Sequence, residues 1–476
     1  MEYLVLLVVV LYLLVVAFIS HSAGRNSKGN SAFFNGERKS PWYLVALGMV
    51  SASVSGISVV SVPGMVSKAS FTYMQMVFGF VLGYVVVAYV LLPLYYKLNL
   101  TSIYGYLEQR FGKVTHKVGG SFFLVYKMVA AASKLYLVII VLHFVVLDSL
   151  GIPFAVSTIF FVLFIFGYTC RTGIRSLVWT DAFQTICMVL ALLCLIYNSL
   201  NSLNQPIGAS FSQLFGREET RIFVFDDLLS PRYFWKQFLS GMFIVVVMTG
   251  LDQDVMQKNL SCPNLKLARK NMLSYGVCFV PVNFILLILG GLLILLAEMC
   301  FGGLPVGGDK ILPYMLMNHF SFGVTLFFMI ALLSAALSSA DSALVSLTTA
   351  FAFDILNLKP ETLTEKRRLK LHFGICVAFL LVVFLFRFIN SDNALDAIYT
   401  IVSYLNGPLL GLFAFGLFTK YAVKDNMTPF VCLASPILCY IINYSSLNLW
   451  NYKFGYELLL LNGMLTFAGL WLVRKK

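Results

Sequence analysis

Charged side chains are scarce in this sequence: they make up 12% of its 476 residues, whereas 59% of the residues are hydrophobic. The mean hydropathy of +0.86 lies far above that of water-soluble domains. So little charge cannot cover the surface of a soluble domain of this size, which excludes that class. The composition predicts an all-α membrane protein that crosses the bilayer many times.

Histidine and paired cysteine are scarce too. The five histidines and nine cysteines form no HExxH motif and no cluster with metal-ligand or disulfide spacing. We therefore expect no metal centre, no cofactor and no enzyme activity, which disfavours a membrane-embedded hydrolase or acyltransferase. The cysteines are interpreted as small apolar side chains inside the spans.

Apolar runs of about 20 residues are long enough to cross the hydrocarbon core. Thirteen such runs are predicted, at residues 3–20, 42–66, 71–94, 119–146, 153–168, 177–200, 234–256, 272–299, 320–355, 371–388, 394–418, 429–443 and 456–473. No basic residue precedes the first run, which predicts an uncleaved helix rather than a signal peptide.

Basic residues test the order of these spans, because lysine and arginine accumulate in cytoplasmic loops. Most of the 34 lysines and arginines fall in every second loop. This pattern predicts a plasma-membrane protein with its N-terminus outside and its C-terminus in the cytoplasm. The formal charge of +13 is then an orientation signal, and no nucleic-acid partner is expected.

Polar side chains at membrane depth are costly and indicate an ion or substrate site. One apolar run, 320–355, contains four polar side chains within five consecutive residues. They are Ser338, Ser339, Asp341 and Ser342. Asp181 lies about 9 Å along its helix from Arg175, at about 1.5 Å per residue. It is expected to bind a cation or a proton, or alternatively to pair with a snorkelling arginine.

Two of the predicted spans are interrupted. Residues 48–64 contain five serines, three glycines and a proline, which predict a broken helix or, alternatively, close helix packing through small residues. Residues 249–254, TGLDQD, interrupt the fifth span after this one, the seventh in the chain. Two interrupted spans five apart are typical of an inverted repeat with a binding site between them. The alternative for Asp252 and Asp254 is an ordinary inner helix end.

Two lysines also enter an apolar run. Lys127 and Lys134 are seven residues apart and therefore share one face of their helix. Lys127 is expected to pair with a buried acid or to reach toward the interface. Lys134 has a further possibility, which is contact with an anionic substrate.

Several motifs, in their shared order, resemble the sodium/solute symporter family, which contains sodium-coupled sugar, proline and sialic acid carriers. They are FFNGERKSPW at 33–42, TSIYGYLEQRFG at 101–112, VWTDAFQ at 178–184, DQ at 252–253, QK at 257–258, SSADS at 338–342, FDI at 353–355 and GPLLG at 407–411.

The resemblance implies a LeuT-type fold with 13 transmembrane helices and a 5+5 inverted repeat, in which the first helix of each repeat is broken. The domains would be an extra helix at 1–22, repeats at 42–200 and 233–420 separated by an extracellular loop at 201–232, and two C-terminal helices at 427–476.

The resemblance also implies two ion sites. The first sodium site would join carbonyl groups of the first broken helix to a carbonyl and two hydroxyls of the eighth core helix, here Ser51, Val54, Ala335, Ser338 and Ser339. A second site, present in some members, would use Asp181, Asp341 and Ser342. Asp341 is a carboxylate where several relatives have an uncharged side chain, so it would strengthen a second sodium site or carry a proton.

The substrate is expected between the two broken helices. The positions implied by the resemblance are Ser53, Ser55, Ser58, Val77, Lys134, Asp252 and Gln253. Val77 and the nearby Phe80 are apolar, which disfavours a sugar because its hydroxyls need many hydrogen-bond partners.

These features together predict a monomeric, sodium-coupled symporter that imports a small organic acid, an amino acid or a similar polar solute by alternating access. Its partners would be the solute, Na+ and the lipid bilayer. The alternatives are a proton symporter that uses Asp181 and Asp341, a sodium-dependent sugar carrier and a solute sensor without transport.

Overall fold

The computed structural model describes residues 2–25, 29–143, 147, 148, 150–228, 230–388, 404–450, 452 and 454–475. These residues are overwhelmingly helical and contain no strand, only an isolated bridge between Val423 and Arg474. The first part of the predicted span 394–418, residues 394–403, lies outside the described residues.

The described residues form twenty α-helices in chain order. They are α1 (Glu2–Gly24), α2 (Asn30–Asn35), α3 (Trp42–Ser53), α4 (Gly56–Ala69), α5 (Tyr73–Val86), α6 (Leu92–Lys97), α7 (Gly105–Arg110), α8 (Lys113–Leu142), α9 (Phe154–Thr169), α10 (Ile174–Ser202), α11 (Ile207–Phe215), α12 (Phe234–Val245), α13 (Gln253–Leu260), α14 (Leu265–Phe301), α15 (Ile311–Asn318), α16 (Phe322–Ala350), α17 (Glu365–Phe388), α18 (Asn406–Phe418), α19 (Thr428–Trp450) and α20 (Leu458–Leu472). Single π-helical turns at Val87–Leu91, Val246–Gly250 and Phe351–Ile355 continue α5, α12 and α16.

By length and composition, eight helices in the described part of the chain are able to cross a membrane, or nine if the bent pair of α12 and α13 counts as one span. Four further apolar helices, α3, α9, α18 and α20, are shorter. These lie inside predicted spans but do not reach full crossing length alone. The number thirteen therefore stays a prediction, whereas the all-helical membrane class is confirmed.

Both interrupted spans are broken helices in the structure. The first break falls between α3 and α4, where Val54 and Ser55 have extended backbone and Ser55 caps α4 by accepting from the Ser58 amide. The second falls between the π turn after α12 and α13, where Asp252 is extended and the two segments meet at 66°. Each break leaves backbone groups without helical partners at membrane depth.

Loop contacts divide the loops into two sets at opposite ends of the bundle. At one end the Arg175 guanidinium donates to the Lys39 carbonyl oxygen and Arg368 donates to that of Gly29. At the other end Ser61 donates to Asp309, at 2.6 Å between oxygens. There the Arg217 guanidinium also binds both carboxylate oxygens of Glu298. The side of the membrane on which each set lies stays a prediction.

The centre of the bundle is α16, whose residues from Ala331 to Ala350 are all buried. Helix α10 packs between α16 and α3. A Cβ atom on Gly48 would lie only 2.8 Å from the Asp181 Cβ, so glycine permits the close approach of α3 to α10. This packing brings three helices together around Asp181.

Candidate functional site

The first break opens onto a chain of hydroxyl groups that ends at Asp181. The Ser338 hydroxyl of α16 donates to the Asp181 Oδ1 atom at 2.7 Å. Its oxygen lies 2.9 Å from the Ser51 Oγ atom of α3. All three residues are fully buried. The Ser51 hydroxyl also lies within hydrogen-bond distance of the carbonyl oxygens of Gly48, at 3.1 Å, and of Asp181, at 3.2 Å. One polar cluster therefore joins α3, α10 and α16.

The end of α3 adds backbone carbonyl groups to this cluster. The last four carbonyls of a helix lack intrahelical partners. The Val50 carbonyl accepts from the Val54 amide at 2.8 Å, and that of Ala52 accepts from the Ser339 hydroxyl at 3.5 Å. Ser339 therefore faces the end of α3.

The two remaining residues of the predicted first ion site, Val54 and Ala335, have apolar side chains and could offer only backbone groups to an ion. Val54 lies within the break itself, with φ of −77° and ψ of 94°. Ala335 is buried on α16 one turn before Ser338 and Ser339, on the same face. Ser51 and Ser338 are thus in contact, Ser339 faces Ala52, and Val54 and Ala335 adjoin them through their positions in the helices. The ligand set itself stays a prediction.

Asp181 has an ion-pair partner that the sequence did not indicate. The Lys258 Nζ atom of α13 lies 2.8 Å from Asp181 Oδ2, and both side chains are almost fully buried. The alternative of a snorkelling arginine was wrong, since the Arg175 guanidinium donates to the Lys39 carbonyl oxygen instead. This pair links the helix after the second break to the cluster at the first.

The two other residues of the predicted second ion site behave differently from each other. The Ser342 hydroxyl reaches Asp181 Oδ2 at 3.5 Å. Asp341 instead accepts from the Tyr168 hydroxyl at 2.5 Å and from the Ser342 amide at 2.6 Å. No hydrogen bond joins Asp341 to Asp181 among the described residues, although both are fully buried.

The second break is held by a different set of side chains. Lys127 forms ion pairs with Asp252 at 3.0 Å and with Asp254 at 2.7 Å, as expected for a lysine that pairs with a buried acid. Asp252 also accepts from the Tyr126 hydroxyl at 2.6 Å and from the Asp254 amide at 2.8 Å. These contacts bind the Asp252 carboxylate to α8 and to the start of α13.

Gln253 connects the second break to the loop after α6. Its Oε1 atom accepts from the Ile103 amide at 2.8 Å, and its Nε2 atom donates to the Thr101 carbonyl oxygen at 3.0 Å. The oxygen and the nitrogen of the side-chain amide thus both bind the backbone of the TSIYGYLEQRFG motif at 101–112.

The three predicted substrate serines have different surroundings. Ser55 and Ser58 lie 3.1 Å apart at their Oγ atoms and form the cap of α4. Ser53 points instead at Tyr275 of α14, with 2.5 Å between the hydroxyl oxygens, and the Tyr84 hydroxyl of α5 donates to Tyr275 at 3.0 Å. The first break therefore has a second polar neighbour, made of three hydroxyls.

Val77 and Lys134 complete the predicted substrate set. Val77 is fully buried in the apolar core. Lys134 is only half-buried, and no described residue forms an ion pair or hydrogen bond with it. Lys127, seven residues earlier on the same face, reaches the second break. Val138, four residues later, would contact a Cβ atom on Gly56 at the first. Lys134 therefore lies between the two breaks.

Sequence reasoning missed Lys258, Tyr84, Tyr168 and Tyr275. Lys258 was assigned to an inner loop because it follows the break and precedes other basic residues. Its spacing of four residues from Asp254 is the one available signal that it belongs to a helix. Nothing distinguishes the three tyrosines from the other 21 in the sequence.

The chain also matches known proteins. The sodium-dependent multivitamin transporter of Oryctolagus cuniculus is 27% identical over 390 residues, which are 79% of this chain and 59% of the relative. Sodium-coupled monocarboxylate transporter 1 of Mus musculus is 25% identical over 84% of this chain and 66% of the relative. The chain thus spans less than two thirds of the length of these relatives.

A solved structure shares the fold. A Na+-coupled sialic acid symporter, in a substrate-bound outward-open state, superposes with a TM-score of 0.83 over 99% of this chain and 98% of that chain, at 18% identity. The model of the sodium:solute symporter family matches residues 33–425. Since this match covers most of the sequence, the chain belongs to the sodium:solute symporter family.

Proposed function

We propose that this protein is a sodium-coupled symporter that imports a small organic acid by alternating access. The observation that carries the proposal is the meeting of the first broken helix with α16, where the Ser51 Oγ atom lies 2.9 Å from that of Ser338 and the Ser339 hydroxyl donates to the Ala52 carbonyl oxygen. An ion bound there holds two helices in one arrangement, which is what coupling of ion and substrate binding requires.

The chemistry of this cluster suits Na+. Hydroxyl and carbonyl oxygens are the ligands preferred by hard cations, and the end of α3 supplies carbonyls that lack helical partners. The proposed ligands are the carbonyl oxygens of Ser51, Val54 and Ala335 and the hydroxyls of Ser338 and Ser339. These groups carry no net charge, so the ion is released when its concentration is low.

The choice of an acid as substrate rests on Lys134. An ammonium group at membrane depth is expensive unless it meets an anion. Lys134 lies between the two breaks without a hydrogen-bonding partner among the described residues, whereas Lys127 on the same face has two carboxylates. A carboxylate of the solute would supply the missing charge.

Nearby groups favour a small solute of this kind. Ser53, Tyr84 and Tyr275 offer hydroxyls to the polar part of the molecule, and Val77 and Phe80 present an apolar wall on α5. The names of similar proteins support this class, since one is a monocarboxylate transporter and another a sialic acid symporter. Asp252 and Gln253 would act by shaping the second break.

We further propose thirteen spans with the N-terminus outside, in the plasma membrane. Residues 42–200 and 233–420 would form the two inverted repeats, and a monomer would suffice for transport. The two breaks, five predicted spans apart, and the segregation of alternate loops to opposite ends support this topology.

The test is uptake into liposomes that contain the purified protein. Radiolabelled short-chain monocarboxylates, a neutral sugar and a neutral amino acid are each offered with an inward gradient of sodium or of choline. We expect uptake of a monocarboxylate only with sodium, and we expect Lys134→Gln to lose the preference for the acid. In Ser338→Ala/Ser339→Ala, half-saturation should need at least about tenfold more sodium, since two ion ligands are lost.

Ser346→Ala is the matched control, because Ser346 is buried on the same helix and its hydroxyl donates only to the Ala343 carbonyl oxygen of that helix. Unchanged sodium dependence in the double variant would contradict the proposal. Uptake driven by a pH gradient without sodium would favour the proton symporter, for which the buried Asp341 carboxyl is the candidate. Binding without uptake would favour a sensor.

A further inference from the structure

The ion pair of Lys258 with Asp181 lies where the second coupling ion of related carriers is expected. Asp181 is the only charged group within hydrogen-bond distance of the Ser338 hydroxyl among the described residues. Its other oxygen, Oδ2, is 2.8 Å from Lys258 Nζ and 3.5 Å from Ser342 Oγ. The ammonium therefore stands among the oxygens that a second cation would need.

Burial makes this arrangement specific. The side chains of Lys258 and Asp181 are 2% and 0% exposed. Taking both charges out of water is costly, and either charge left alone would be more costly still. Because the Lys258 side chain is buried, its ammonium does not act as a solvated surface charge.

Asp341 does not compete for this ammonium by direct bonding. Its two oxygens accept from the Tyr168 hydroxyl and the Ser342 amide. Asp254, four residues before Lys258 on α13, is bound by Lys127. The one carboxylate in contact with the Lys258 ammonium is therefore Asp181, at least among the described residues.

We propose that Lys258 is a tethered cation that replaces a second sodium ion. This inference rests on the proposed sodium coupling and specifies its stoichiometry. The ammonium already neutralises Asp181, and a sodium ion placed beside it would be repelled at short range in a medium of low dielectric constant. One sodium ion, at the Ser338 and Ser339 hydroxyls, would bind in each cycle.

The experiment counts sodium ions on the purified protein and needs no substrate. Binding of radioactive sodium is measured at saturation, with potassium or choline as competitor. The wild type should bind one ion per molecule and Lys258→Gln should bind two, because Asp181 is then an unpaired carboxylate beside two hydroxyls. Lys258→Arg keeps the charge and should bind one. Lys266→Gln, an exposed lysine at the start of α14, is the control and should also bind one.

A double variant separates charge from shape. Asp181→Asn/Lys258→Gln has neither charge and should bind one ion. Asp181→Asn alone leaves the ammonium unpaired beside the first site, so its sodium affinity should fall at least about tenfold and recover in the double variant. This pair of variants decides the question if Lys258→Gln does not fold.

The outcomes are distinguishable. Two ions on the wild type, or one ion on both the wild type and folded Lys258→Gln, would overturn the inference. If the wild type binds none and Lys258→Gln binds one, the proposed sodium coupling is contradicted, whereas the substitution of Lys258 for one sodium ion is supported. If neither binds sodium, both proposals fail.

Discussion

The two helix breaks have similar backbone geometry but opposite chemistry. At the second break the carbonyl oxygens of Gly250 and Leu251 each accept from a buried tyrosine hydroxyl at 2.8 Å, those of Tyr95 and Tyr104. Asp252 then caps α13. At the first break Ser55 accepts one amide, and the groups nearest the end of α3 are the hydroxyls of Ser338 and Ser339.

Under the proposed function, the second break has a structural role and the first break binds an ion. Buried backbone groups need partners, and at the second break the carbonyl oxygens of Gly250 and Leu251 have theirs within the protein. The first break leaves carbonyls of α3 next to hydroxyls on α16, which is an arrangement that a small cation completes. The second helix break is thus stabilised by side chains of the protein, whereas the first is open to the proposed ion.

The largest effect on this comparison should come from Lys127→Met. The substitution leaves the Asp252 and Asp254 carboxylates, each 5% exposed, without their cation. Breaking a buried pair in this way costs about 3–5 kcal/mol. Denaturant titration of the purified protein in mixed micelles measures the loss. Lys117→Met, at an exposed position of the same helix, should change the free energy of unfolding by less than about 0.5 kcal/mol. A loss below about 1 kcal/mol in Lys127→Met would show that the second break does not depend on charge.

A smaller effect is expected from Tyr104→Phe. The change keeps the ring in the core and removes the donor to the Leu251 carbonyl oxygen. An unsatisfied buried acceptor costs about 1–3 kcal/mol, so the free energy of unfolding should fall by that amount. Tyr197→Phe, at a 59% exposed tyrosine, is the control and should have no effect. Equal stability of both variants would mean that the carbonyls of the second break need no partner, and the contrast between the breaks would disappear.

The breaks themselves were predictable from sequence, because serine, glycine, proline and aspartate inside apolar runs weaken a helix locally. The pairing across the breaks was not. Helical spacing places residues on a face only within one continuous helix, and the 66° bend before α13 removes that relation. Lys258 therefore looked like a loop residue, although it is buried against Asp181.

The contacts at the first break and those at the second break were predictable to different degrees. The grouping of Ser51 with Ser338 and Ser339 followed from the family resemblance, and the structure brings Ser51 to Ser338 and Ser339 to the Ala52 carbonyl oxygen. Lys127 was expected to pair with an acid, but its two partners, Asp252 and Asp254, lie on another helix that the sequence does not position. The hydroxyl chain of Ser53, Tyr275 and Tyr84 joins three helices, and such contacts depend on packing that no local pattern encodes.

The smallest effect is expected at the first break, from Ser55→Ala. The Ser55 hydroxyl accepts from the Ser58 amide at 3.3 Å, and loss of an N-cap of this kind costs about 1 kcal/mol. The free energy of unfolding should fall by that amount, and Ser55→Thr, which keeps the hydroxyl, should restore most of it. Sodium binding should not change, because the proposed ligands at this break are carbonyl oxygens of α3 and of Val54. A loss as large as that of Lys127→Met would mean that the first break is also held mainly by its own side chains, which leaves less of it for an ion to stabilise.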